Sequence, residues 1–200
     1  MFINVSAQEK TFLVNLSKQI SYKITISNNQ TILYSNQDKL IIEGSALDYV
    51  TVDFDNGKIK DVVLKFPTIN GYFYKLLKYN YIIKKMIIVN GIENIGSFKK
   101  LKGYPNYYIS VMENGCNDFN WKSYLFKISN DKVVIMAYLD WKECVELKIN
   151  LYKKSKKNKF LLFQKYSESD IIFDKTTDEV DIFENIPTDF FWQNYLKLQK

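Results

Sequence analysis

Residues 123–166 read SYLFKISNDKVVIMAYLDWKECVELKINLYKKSKKNKFLLFQKY, and the reading of this stretch decides the fold. Tyr124, Phe126 and Ile128 recur at a period of two and run into Asn130-Asp131, a turn pair. Val133 to Trp141 is then apolar at neighbouring positions, the pattern of a strand covered on both faces. Val145, Leu147, Ile149 and Leu151 alternate with Glu146, Lys148 and Asn150, and after a lysine-rich loop the chain returns over Lys159 to Tyr166. A period of two puts successive side chains on opposite faces of a sheet. The stretch therefore predicts a meander of four antiparallel strands.

Outward from this stretch the same periodicity reaches the N-terminal half. Ile20, Tyr22, Ile24 and Ile26 alternate with Ser21, Lys23 and Thr25, giving one apolar and one wet face. Val50, Val52 and Phe54 lead into Asp55-Asn56-Gly57, followed by Val62, Leu64 and Phe66; a three-residue loop with Gly57 left-handed sets Val50 opposite Val62. Residues 71–85 carry long side chains with little β-branching before Ile82 and predict a central helix, although their apolar positions wrap around it. Met86 to Val89, ahead of Asn90-Gly91, fits a strand entering a hairpin. Pro187, Thr188 as cap, Asp189 in the first turn, and Phe191, Tyr195 and Leu198 at helical spacing predict a short C-terminal helix, with Trp192 packing onto the sheet. Gly103, Pro105, Gly115 and several asparagines make residues 100–120 the least regular region. The expected class is α+β: a predominantly antiparallel sheet of hairpins and a C-terminal meander, one central helix and a short C-terminal helix. It forms a single domain over residues 1–200 with a sub-boundary near 100–120.

Composition narrows the chemistry. The chain has no histidine, and all 28 of its basic side chains are lysine. The commonest general base and metal ligand is therefore missing, and so is the rigid fork that grips carboxylates, phosphates and guanine edges. Abundant lysine, asparagine, isoleucine, tyrosine and phenylalanine point to AT-rich coding, which accounts for the loss of arginine more readily than for that of histidine. Hydrophobic residues at 46% and aromatics at 16% suffice for a packed core. Cys116 and Cys144 are too few for a disulfide framework and are read as free thiols, and Cys116 lacks the histidine that normally activates a cysteine nucleophile. Met1 to Lys10 has no basic start followed by an apolar run, and no stretch approaches the ~20 apolar residues of a membrane span, so a cytoplasmic protein without a membrane partner is expected.

Charge is split along the C-terminal half. From Lys122 to Lys165 there are eleven lysines against Asp131, Asp140, Glu143 and Glu146, whereas from Glu168 to Asp189 there are eight acids against Lys175 alone. Asp174, Asp178, Glu179, Asp181 and Glu184 flank a predicted Lys175-Thr176-Thr177 turn and form a surface for a protein with a basic face. Their order lacks the glycine of a calcium loop, so no metal and no cofactor is assigned. Lys153, Lys154, Lys156, Lys157 and Lys159 form a solvent-facing hairpin loop, either solubilising or contacting phosphates, with Tyr152, Phe160 and Tyr166 as stacking groups. Asp140 with Glu146 and Lys148 matches the carboxylate, Glu-x-Lys order of restriction-type nucleases, in which two acids hold magnesium and lysine stabilises the attacking hydroxide. A two-residue turn after Asp140 sets it opposite Val145, on the wrong face; a three-residue loop brings it across from Glu146. No nucleophile elbow, phosphate loop or dinucleotide fingerprint occurs among the seven glycines.

The sequence thus favours a non-enzymatic cytoplasmic protein that binds another protein through its acidic C-terminal surface, such as an immunity or inhibitor protein of a toxin or mobile-element system. The alternatives are sequence-independent nucleic-acid binding through the lysine loop and a magnesium-dependent nuclease. Trp121, Trp141, Trp192 and the tyrosines are read as core or subunit-interface material, which leaves a homo-oligomer open.

Overall fold

The computed structural model describes residues 9–54, 57–69, 71–113, 121–142, 148–166 and 188–197. The chain divides into two compact units, Met1–Glu93 and Asn94–Lys200. In the first, β1 (Lys10–Asn15), β2 (Ser21–Ile26), β3 (Gln30–Tyr34) and β4 (Lys39–Glu43) form one antiparallel sheet in sequence order. β5 (Asp48–Val52), β6 (Asp61–Thr68), β7 (Gly71–Asn80) and β8 (Lys85–Val89) form a second in the same manner. The alternation along β2 explains the packing: Tyr22, Ile24 and Ile26 are buried while Ser21 and Lys23 face solvent. Val14, Tyr22, Ile24, Leu33 and Ile42 of the first sheet join Val62, Leu64, Phe66, Leu77 and Met86 of the second in one cluster, so the two sheets pack face to face. Each such side chain contributes roughly 1.5–3 kcal/mol by leaving water.

Polar groups inside this sandwich are placed with partners. Thr31 donates its hydroxyl to the carbonyl of Gly44 and accepts from the amide of Ala46, both at 2.9 Å, fixing the turn out of β4. Asp61 is buried and accepts from the amide of Phe54 at 3.2 Å, closing the segment between β5 and β6. That segment, residues 53–60, is longer than the three-residue loop expected, and the register moves by one: Val50 pairs with Val63, and Val62 with Thr51. The acceptor on Asp61 and the bond from Lys60 N to Leu16 O hold the longer connection in place.

The central helix expected over residues 71–85 does not form, and the α+β class is corrected to a nearly all-antiparallel-β architecture. Residues 71–80 are β7, residues 81–84 a turn, and Lys85 opens β8. The physical reason lies in the pattern that wrapped around the helix. Phe73 and Leu77 turn toward the sheet-on-sheet core, while Leu76, of opposite parity, is also buried, as in a strand with two covered faces. Tyrosines and phenylalanine crowd a helix but suit a pleated surface, and Phe73 stacks on Phe66 at 5.0 Å across the pair. Asn80 ends the strand by accepting the amides of Ile82 and Ile83 on its side-chain oxygen, at 3.0 and 3.3 Å.

In the second unit a 3-10 turn at Ile92–Asn94 begins just ahead of the boundary, and six strands follow in one antiparallel sheet. They are β9 (Ser97–Lys100), β10 (Tyr108–Glu113), β11 (Trp121–Ser129), β12 (Lys132–Lys142), β13 (Lys148–Lys154) and β14 (Phe160–Tyr166), each paired with the next. Asn130 and Asp131 turn β11 into β12 with φ of 50° and 57°, the left-handed pair of a type I′ hairpin. Leu125 faces Ala137 and Phe126 faces Ile135, leaving Met136 as the extra residue of a bulge.

A helix, α1 (Thr188–Lys197), covers one face of this sheet. Trp192, Tyr195 and Leu196 pack with Ile109, Val111, Leu125, Ala137, Leu139 and Leu151, and the Trp192 indole N–H donates to the Ser123 hydroxyl at 2.9 Å. Gln193 donates to the carbonyl of Lys102 at 3.2 Å, tying the helix to the loop before β10. Replacing Trp192 by alanine is expected to cost about 3–5 kcal/mol. Ser123→Ala, which strands a buried indole N–H, should cost about 1–3 kcal/mol. In urea denaturation, Trp192→Phe combined with Ser123→Ala should lose less than the sum of the two single losses, because both remove one bond. Strict additivity would show that the bond contributes nothing.

Candidate functional site

The sequence candidates are distributed unevenly over the described residues. Asp140 on β12 pairs with Asn150 on one side and Lys122 on the other, and Lys148 pairs with Lys142. The connection from Lys142 to Lys148 is therefore longer than either turn weighed from the sequence, and Glu146 lies within it, outside the described residues. Asp140 is buried, on the face opposite α1, next to a cross-strand row of tyrosines. Tyr138 stacks on Tyr152 at 4.6 Å and meets Tyr124 at 6.0 Å and the edge of Phe160 at 5.1 Å. Burial, with the Asp140 carboxylate beside them, pushes the Tyr124 and Tyr138 hydroxyls above the usual tyrosine pKa.

The lysine loop is an ordered hairpin turn. Ser155 N donates to Lys159 O at 2.7 Å, Asn158 N donates to Ser155 O at 3.0 Å, and Asn158 takes the left-handed φ of 59°. Lys156, Lys157 and Lys159 are exposed, and Lys153 and Lys154 are half-buried along the strand. Tyr152 and Phe160, the stacking groups expected for nucleic acid, are both engaged with the Tyr138 ring. The acidic residues Asp174, Asp178, Glu179, Asp181 and Glu184, and the Tyr166 side chain, lie outside the described residues. Among the described residues, no group of three or more cysteine, aspartate or glutamate side chains is arranged to hold a metal, and no helix is long and apolar enough to cross a membrane.

Two features of the first unit escaped the sequence reading. One is a cleft of about 420 Å³ at an end of the sandwich, lined by the turn into β2, the turn after β3 and residues around the β7–β8 turn. Gln19, Ser21, Asn36 and Gln37 supply amides and hydroxyls, Tyr34 and Tyr79 supply rings, and Lys23 and Lys84 supply positive charge. Its floor is held by Asp38, whose Oδ2 accepts the Tyr22 hydroxyl at 3.0 Å and the amide of Met86 at 2.9 Å. The second is the turn Tyr81–Lys84, whose isoleucines stand in water, Ile82 at 91% exposure. Asn80 pins their amides, and Lys84 takes a φ of 54°. Both features were hidden by the helix expected over residues 71–85. The available signal was Asn80 itself, an acceptor suited to starting a turn, ahead of two β-branched residues.

No family model and no curated protein matches the sequence. Among solved structures, the chain is similar to a Xanthomonas type IV secretion system related protein. The two are 14% identical, with a TM-score of 0.53 over 78% of this chain and 99% of the other. At that identity the likeness is one of fold.

The floor of the cleft titrates late. Burial, then the bond to Asp38, pushes the Tyr22 hydroxyl up to about 12. A raised pKa means that the folded state holds this proton more tightly than the unfolded state, so its stabilisation is complete below about pH 10 and is lost as pH rises toward 12. Tyr22→Phe should remove a late step from the near-UV tyrosinate titration and cost about 2 kcal/mol at neutral pH, the worth of a bond to a charged acceptor. Retention of the full late amplitude would mean that Tyr22 is not the late group.

Proposed function

We propose that this chain acts by binding another protein, in the manner of an immunity or inhibitor protein of a toxin or mobile-element system. The observation that carries the proposal is the Tyr81–Lys84 turn. Isoleucines are rarely left in water at a hairpin tip, and here the backbone is already locked by Asn80, so little entropy remains to be lost on docking. A protruding, preorganised apolar tip fits a groove on a folded partner. The acidic residues Asp174, Asp178, Glu179, Asp181 and Glu184 supply a second contact, which directs the choice toward a partner with a basic face. The fold likeness to a type IV secretion system related protein is in keeping with such a setting.

Nucleic-acid binding is the second reading, favoured by the exposed Lys156, Lys157 and Lys159 on an ordered turn. With Tyr152 and Phe160 occupied, such binding would rest on phosphate contacts and fall steeply with salt.

Capture of the tagged chain from its native lysate, with and without nuclease, separates the readings. A stoichiometric protein that survives nuclease is expected. Ile82→Asp with Ile83→Asp should weaken its capture by about 100-fold, as loss of an interface anchor does. Charge reversal at Asp178, Glu179 and Asp181 should weaken it by about tenfold and flatten its salt dependence. Unchanged capture by the isoleucine variant would remove the turn from the interface, and nucleic acid alone would move the lysine loop to first place.

A further inference from the structure

We propose that the cleft in the first unit is a binding site for an acidic saccharide, a sugar ring bearing a carboxylate. Its walls have the chemistry of a polyol partner. Gln19, Asn36 and Gln37 present amides that both donate and accept, and a sugar hydroxyl does the same, so each contact can be satisfied in either direction. Tyr34 is half-buried and stacks on no other ring among the described residues, which leaves its face to receive the C–H side of a pyranose. A volume of about 420 Å³ lies within the range of small-ligand sites.

The charge selects an acid. Lys23 and Lys84 line the cleft, and among the described residues neither forms an ion pair and no carboxylate is in the lining. Asp38, whose Oδ2 holds the Tyr22 hydroxyl and the Met86 amide, offsets one of the two positive charges and leaves a net charge of one for an acidic ligand. Lys23 projects from β2 on the face that also carries Tyr34, its register partner, and Lys84 comes from the opposite sheet. Tyr34, Lys23 and Lys84 all line the one cleft, which draws its positive charge from both sheets. A peptide fits less well. Among the described residues the only aliphatic side chains in the lining are Leu13 and Ile20, too few for the alternate side-chain pockets by which extended peptides are read.

The test uses the full chain and three probes, glucuronic acid, glucose and acetate, followed by amide chemical shifts. Glucuronic acid should shift the amides of residues 19–23 and 34–37 and bind about tenfold more tightly than either glucose or acetate, since each alone satisfies only half of the site. Lys23→Ala with Lys84→Ala, both exposed positions, should reduce glucuronic acid to the affinity of glucose. Tyr34→Ala should reduce it to the affinity of acetate, and a spectrum otherwise unchanged confirms that the sandwich is intact. Equal binding of acetate and glucuronic acid would overturn the saccharide assignment, and shifts confined to residues outside the cleft, or none, would overturn the site. Ile82→Ser with Ile83→Ser, which removes the apolar tip without adding charge beside Lys84, should bind glucuronic acid normally and still weaken partner capture, so this result and the partner-binding result stand or fall separately.

Discussion

One carboxylate oxygen organises the first unit. Asp38 sits in the turn between β3 and β4, yet its Oδ2 holds a hydroxyl from its own sheet, Tyr22, and a backbone amide from the other, Met86. Sheet-on-sheet packing is apolar and non-directional, and many sliding arrangements bury nearly the same area. A charged acceptor shared by both layers favours one of them, because a slip of one residue would break both half-buried bonds at once. The cleft follows from that constraint, since its floor is the same set of groups and its walls are the turns this contact fixes.

The second unit solves the same problem with a helix in place of a second sheet. Trp192 fills the centre of the covered face and directs its indole N–H to Ser123, one of few polar groups buried there. The opposite face carries a ladder of tyrosines beside Asp140 and, further along, Phe126 packed between Tyr108 and Phe98. Tyrosine suits that position because the ring packs while the hydroxyl retains access to water or to a carboxylate. Six of the chain's fifteen tyrosines, read from the sequence as core or interface material, form this ladder and line the cleft.

Period-two alternation was legible wherever one face is wet. Ser21–Ile26 is the clearest case, with Tyr22, Ile24 and Ile26 inside and Ser21 and Lys23 outside, and the Asn130-Asp131 turn was equally plain. The reading failed at residues 71–85, where aromatic and aliphatic residues occupy both parities and the strand period is masked. Propensity then favoured a helix, and tertiary burial overrode it. The hairpin around Gly57 was right in kind and wrong in register, because the bonds that hold its longer connection come from Asp61 and Leu16, neither of which a local pattern reveals. Site residues were harder still. The cleft draws on three separate turns and a pair of strands, and no window of sequence contains it. Asp140 was singled out as the first carboxylate of a Glu-x-Lys pattern, but its neighbours on the sheet are tyrosines, Lys122 and Asn150, set by the pairing of β12 with strands on either side.

Among the described residues, every sheet is assembled from strands in sequence order, each pairing with the next. No described strand waits for a distant partner. For a β protein this keeps loop closure short, so pairing does not incur the entropy of joining remote segments that slows most sheets. On a ribosome the consequence is temporal. The first sheet is complete in sequence once Glu43 has been made, and the second needs only the chain to Val89, so the N-terminal sandwich has all its strands while the second unit is still being synthesised. Order of manufacture and order of pairing coincide, and partly made chains spend little time with unpaired edges exposed.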